Sequence, residues 1–191
     1  MATVREGNTP VLVVVDVQVG AMADAWEAPR TIRNVARVVQ RARAEGVPVI
    51  WVQHSDEDLP EASPQWQWVP ELVPAGHEPL IHKHFNSAFE QTDLERELAR
   101  RQATHIVLAG AASNWCIRAT AHAALDRGYD LTLVDDAHTT ETMRLESGVI
   151  LEASNIVQEL NIAMTWLAYP GRKNGTASAE QVRFAIPGGK P

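Results

Sequence analysis

The chain holds one cysteine, Cys116. On its own a lone thiol is as readily an inert packing group as a nucleophile. Its position sharpens the question, because two other reactive residues fall at comparable places. Asp16 closes the apolar run Val11-Leu12-Val13-Val14-Val15, and Lys83 follows Pro79-Leu80-Ile81. Cys116 comes just after the run His105 to Ala109, at the entrance of a helical pattern. A thiol there meets the positive end of a helix and free backbone N–H groups, both of which favour the thiolate. A nearby ammonium favours it further, and a carboxylate can remove and later return its proton. Brought together, the three residues form the parts of covalent acyl chemistry. Each also has a plainer reading: Asp16 as a loop or capping residue, Lys83 as a solvated cation, Cys116 as core.

The elements that must bring them together alternate strand and helix along the chain. Val11 to Val15 is a continuous β-branched run, as expected of a strand covered on both faces. Residues 31–45 place Ile32, Val35, Val38 and Val39 on one helical face, with Gly46 as a stop. Val47 to Val52 reads as a second strand, and Thr92-Asp93-Leu94-Glu95 as a capping box opening a helix to about Arg101. The strand His105 to Ala109 leads to a helix over 115–127 closed by Gly128, then a strand from Tyr129 to Val134. A helix over 143–160 and a last strand from Ile162 to Leu167 complete the pattern. It predicts an α/β fold: a doubly wound αβα sandwich around a mostly parallel, six-stranded sheet. In such sheets ligands bind beyond the carboxyl ends of the strands, where strand order reverses. Asp16, Lys83 and Cys116 all fall at such ends.

Two stretches break the rhythm. Residues 54–79 carry Pro60, Pro64, Pro70, Pro74 and Pro79 with Trp66 and Trp68 among them, a composition suited to a lid or binding loop. The segment 170–191 is polar and rich in Gly and Pro, and is expected to be disordered or to reach a neighbouring subunit.

The length of 191 residues fits one domain, 1–191, with its core over about 10–168. Lys and Arg number 17 against 24 acids, a net charge of −7, which disfavours binding to nucleic acid or to anionic lipid. No apolar run approaches the ~18 residues of a membrane span, and the first residues lack a signal-peptide apolar region. With no disulfide partner for Cys116, a reducing cytoplasm is the expected compartment.

The chain resembles the isochorismatase-like cysteine hydrolases, which include nicotinamidases, N-carbamoylsarcosine amidohydrolases, streptothricin hydrolases and isochorismatases. Four segments carry the resemblance, in order, between about residues 10 and 168. Val13-Val14-Val15-Asp16-Val17-Gln18 matches the first-strand motif, and Lys83-His84-Phe85-Asn86-Ser87-Ala88-Phe89 the lysine motif. Ala109-Gly110-Ala111-Ala112-Ser113-Asn114-Trp115-Cys116-Ile117-Arg118-Ala119-Thr120-Ala121 matches the nucleophile segment. Gly128-Tyr129 and Val134-Asp135-Asp136-Ala137 match the closing element. The resemblance implies Cys116 as nucleophile, Asp16 as proton shuttle and Lys83 as their electrostatic partner. It also implies a cis peptide at Ala111–Ala112 and an oxyanion hole from the backbone N–H groups of Ala112 and Cys116. One departure is Asn114, where members of the family often carry Asp.

Other residues admit two readings. Gln18, Trp66, Trp68 and Trp115 are candidates for contacts with substrate, while the Trp66–Trp68 pair serves equally as core or subunit packing. His54, His77, His82 and His84 invite a zinc site, but Gln53-His54-Ser55-Asp56 does not reproduce the nicotinamidase Asp-x-His pair, so no metal is expected. Asp136 reads as structural, and His138-Thr139-Thr140 as facing either a pocket or solvent. No Gly-rich phosphate loop is present, so no cofactor is expected. The expected activity is thioester-mediated hydrolysis of a small non-peptide amide, lactams included, by a homodimer or homotetramer. Its rivals are vinyl-ether hydrolysis with Asp16 as general acid, and an inactive relative serving as a scaffold.

Overall fold

The computed structural model describes residues 6–184; the N-terminal residues 1–5 and the end of the polar tail, 185–191, lie outside it. In chain order the elements are β1 (Thr9–Val15), α1 (Val19–Met22), α2 (Ala28–Ala44), β2 (Val49–His54), β3 (Leu80–Lys83), α3 (Leu94–Arg100) and β4 (Ala103–Ala111). A π-helical turn over Ser113–Ile117 runs directly into α4 (Arg118–Asp126). The remainder is β5 (Asp130–Thr139), a short hairpin of β6 (Met143–Arg144) and β7 (Ile150–Leu151), α5 (Ala153–Trp166) and β8 (Asn174–Ala177).

Six strands form one sheet in the order β3-β2-β1-β4-β5-β8, every pair parallel. Val11 to Val15 of strand β1 lie fully buried between two apolar layers. Its side chains alternate faces, so Val11, Val13 and Val15 join Leu94, Leu98, Ile117, Leu125, Leu160 and Met164 on the α3–α5 side. Leu12 and Val14 join Val35, Val38 and Val39 of α2 on the other. Strand order reverses beside β1, between chain-early β2 and chain-late β4, which opens a crevice at the carboxyl ends of these strands.

Three expectations are corrected. Ile162 to Leu167 is not a strand but the end of α5: Val157, Leu160 and Met164 recur at helical spacing and are buried, while Ile162 and Trp166 face outward. The sixth strand is β8, inside the segment expected to be disordered or to leave the molecule. Beyond β8, Ala179, Val182 and Phe184 are buried against the α2 face, and the Arg41 guanidinium donates to the carbonyls of Ala179, Glu180 and Val182. Finally, residues 143–151 form a hairpin turning at Gly148 (φ 83°) rather than the start of a helix. The capping box is also incomplete: the Thr92 hydroxyl accepts from Leu94 N–H at 3.2 Å, and Asp93 provides no side-chain cap.

Candidate active site

The ends of β1, β2, β3 and β4 bring the predicted residues together. Asp16 leaves β1 with φ 51°, a left-handed geometry that Asp tolerates better than most residues, and its N–H still donates to Val52 of β2 at 2.9 Å. Gly110 of β4 makes the close approach possible. It sits at φ 128°, and a Cβ there would lie 1.9 Å from the Val15 carbonyl oxygen. The peptide Ala111–Ala112 is cis. After it the chain winds the π-helical turn that carries Cys116, with Ile117 N–H donating to the Ala112 carbonyl at 3.1 Å; such turns recur at functional sites.

Lys83 is the centre of the cluster. Its side chain is wholly buried, and an ammonium has three N–H groups to place. Three acceptors surround it: Asp16 Oδ2 at 2.7 Å, Cys116 Sγ at 3.1 Å and His54 Nδ1 at 3.1 Å. One cation thus bridges the carboxylate and the thiol. Among the described residues Asp16 receives no other hydrogen bond beyond Lys83 and the thiol. Asn86 Oδ1 lies 3.9 Å from Sγ, the long reach of a weak thiol donor.

The electrostatics correct the expectation of a resting thiolate. Burial, first, and then the Asp16 charge push the Cys116 thiol up to about 12, against the opposing pull of Lys83. Burial also raises the Asp16 carboxyl above the usual carboxylate range, opposed by the charge and hydrogen bond of Lys83. At neutral pH the thiol keeps its proton until a base takes it, and the base beside it has had its own proton affinity raised. That combination suits transfer of a proton between the two during reaction rather than a standing thiolate.

A profile of the isochorismatase domain matches residues 10–165. The chain belongs to the isochorismatase family. It is 33% identical over 146 residues to streptothricin hydrolase of Streptomyces noursei, covering 72% of this chain and 57% of that protein. It is 27% identical over 154 residues to N-carbamoylsarcosine amidase of an Arthrobacter species, covering 64% of this chain and 56% of that one. The chain therefore spans little more than half the length of these two relatives. A crystal structure of an isochorismatase from Pseudomonas putida superposes with a TM-score of 0.81 at 25% identity, over 90% of this chain and 88% of the other.

Of the four residues expected to contact substrate, two are engaged elsewhere. Gln18 is fully buried: its Nε2 donates to the carbonyls of His54 and Trp66 at 2.9 Å each, and its Oε1 accepts from His54 N–H at 2.9 Å. It fastens the proline-rich loop to the end of β2 and leaves no group facing a ligand. Trp68 packs edge-on against buried Trp51 with ring centres 5.1 Å apart. Trp66 stacks on His82 at 5.6 Å, and its buried indole N–H has no hydrogen-bond partner among the described residues. Trp115 stands half-exposed beside the nucleophile. No group of three or more His, Cys, Asp or Glu side chains converges as a metal site among the described residues. His54 contacts Lys83, His82 stacks on Trp66, His84 Nδ1 donates to the Ser55 carbonyl at 3.0 Å, and His77 lines a separate cleft with Arg43 and Glu78.

Behind the nucleophile turn lies a buried chain that the sequence did not disclose. The Ser113 hydroxyl donates to His138 Nδ1 at 2.8 Å, and His138 Nε2 donates to Asn161 Oδ1 at 2.9 Å. Asn161 Nδ2 donates in turn to the Asp135 carbonyl at 3.1 Å, which fixes the amide's orientation and the ring's tautomer. His138, Thr139 and Thr140 are thus buried away from solvent. Thr140 Oγ1 instead donates to Asn114 at 2.5 Å, so the residue that departs from the family pattern is tied into the same support. Asp136 is structural, accepting from Ala179 N–H at 2.7 Å.

Burial, against weaker support from Asn161 and Asp136, pulls His138 from the ordinary 6.5 down to about 4. Folding therefore favours the neutral ring. As pH falls from 6.5 towards 4, the unfolded chain binds a proton that the folded chain excludes, so stability is lost over that window. The loss from this one ring amounts to roughly 3 kcal/mol. His138→Gln should lose correspondingly less stability than the parent between pH 7 and pH 4, measured by urea denaturation at both. An equal loss in the two proteins would remove His138 as the cause.

Proposed function

We propose that the protein hydrolyses a small non-peptide amide through a thioester on Cys116. The observation that carries this reading is the single buried ammonium, Lys83, in contact with both the Asp16 carboxylate and the Cys116 thiol. As Sγ attacks the substrate carbonyl carbon, Asp16 takes the thiol proton and Lys83 stabilises the negative charge passing between sulfur and carboxylate. The N–H groups of Ala112 and Cys116 receive the developing oxyanion. Protonated Asp16 then gives its proton to the departing amine as the C–N bond breaks, leaving an acyl thioester. Water, deprotonated by Asp16, attacks the thioester and releases the acid and the free thiol. Trp115 and Phe85, both half-exposed next to the catalytic segments, are the apolar groups available to a substrate. The name of one relative, N-carbamoylsarcosine amidase, supports the choice of a C–N bond.

The raised proton affinity of Asp16 also favours a second reading, general-acid cleavage of a vinyl ether without a covalent step. A panel of primary amides, ureides, lactams and one enol ether, scored by released amine or ammonia and by enol-ether loss, separates the two. Amine release from at least one C–N compound is the expected result. Turnover of the enol ether alone would replace the first reading by the second.

A further inference from the structure

We propose that His54 is a positioning residue for Lys83, with Asp56 fixing its tautomer and Gln18 fixing its backbone. This rests on the reading above, in which Lys83 serves Asp16 and Cys116. An ammonium with only those two acceptors would keep one buried N–H unpaired and would be free to rotate. The third acceptor is His54 Nδ1 at 3.1 Å, from the end of the strand paired with β3, where His54 and Lys83 stand in register. Nδ1 can accept only if the ring proton sits on Nε2, and Nε2 lies 2.9 Å from Asp56 Oδ2.

Asp56 is itself held for this purpose. Its Oδ1 accepts from the N–H groups of Asp58 at 3.0 Å and Leu59 at 2.8 Å, which leaves Oδ2 for the ring. Although burial opposes it, these backbone bonds and His54 keep the Asp56 carboxyl below the usual carboxylate range. Gln18 clamps the same histidine from the other side, bonding both its N–H and its carbonyl at 2.9 Å. The chain Asp56–His54–Lys83 thus runs from the surface to the buried cation and aims all three of its N–H groups. Both ring nitrogens are occupied, which leaves neither for a metal.

Two measurements test this. Nitrogen-15 NMR of the native protein should show neutral His54 as the Nε2–H tautomer; the Nδ1–H tautomer would overturn the proposal whatever the protein hydrolyses. The second compares three variants on an amide turned over by the parent. His54→Asn places an acceptor near Nδ1 and should keep kcat within about threefold, whereas His54→Gln reaches the Nε2 position and His54→Leu offers nothing. Those two should lose about 100-fold in kcat with KM little changed, the cost of a misplaced catalytic group. Equal losses in Asn and Gln, unchanged kcat in Leu, or a rise confined to KM would each contradict it.

Discussion

Asp16→Asn should lose about 10³-fold in kcat while its Cys116 becomes easier to alkylate than that of the parent. The two effects have opposite signs because the carboxylate plays two parts. As the base in contact with the thiol among the described residues, it must accept the proton when sulfur attacks, and an amide cannot. As a fixed negative charge it also helps burial hold the thiol proton, contributing to the rise to about 12. Removing the charge leaves the Lys83 ammonium at 3.1 Å unopposed, so the thiol titrates lower. Iodoacetamide labelling at pH 8 should therefore be slow in the parent and faster in Asp16→Asn. Labelling that is unchanged or slower, or a variant that keeps a tenth of parental turnover, would contradict the assignment. A site built on a standing thiolate would instead label rapidly in both proteins.

Cys116→Ser should lower kcat/KM by about 10⁴-fold or more, because the hydroxyl is a far weaker nucleophile and leaving group than the thiol. Serine matches the thiol in shape within a few tenths of an ångström, so far-UV circular dichroism and melting should change little. Substantial amide turnover by the serine variant would exclude covalent catalysis by sulfur. Retained cleavage of an enol ether alone would instead favour Asp16 as a general acid.

The positions of Asp16, Lys83 and Cys116 were legible in the sequence because each follows an apolar run, and parallel strands deliver their carboxyl ends to one edge. The charge state of the thiol was not legible. Helix entrance and nearby ammonium favour thiolate, but burial and the facing carboxylate outweigh them, and both depend on tertiary placement. The Ser113–His138–Asn161 chain was hidden for the same reason, since residues 25 and 23 positions apart become neighbours only after the sheet forms. Ile162 to Leu167 misled through composition: Met164 continues the buried helical face begun at Val157 while Ile162 and Trp166 face outward, and the short Asn174–Ala177 strand has no apolar run to announce it. Gln18 reads in the sequence as a substrate contact, whereas its buried amide bonds the backbone of His54 and Trp66, partners that only the folded loop brings to it.

The covalent step is tested most directly by intact-protein mass spectrometry after rapid acid quench of the protein with a hydrolysed amide. The expected result is a mass increase equal to the acyl group, located on the peptide containing Cys116, discharged by hydroxylamine and absent from Cys116→Ser. Product formation without any such adduct in the parent, under quench times shorter than one turnover, together with product formation by Cys116→Ser, would contradict a thioester mechanism.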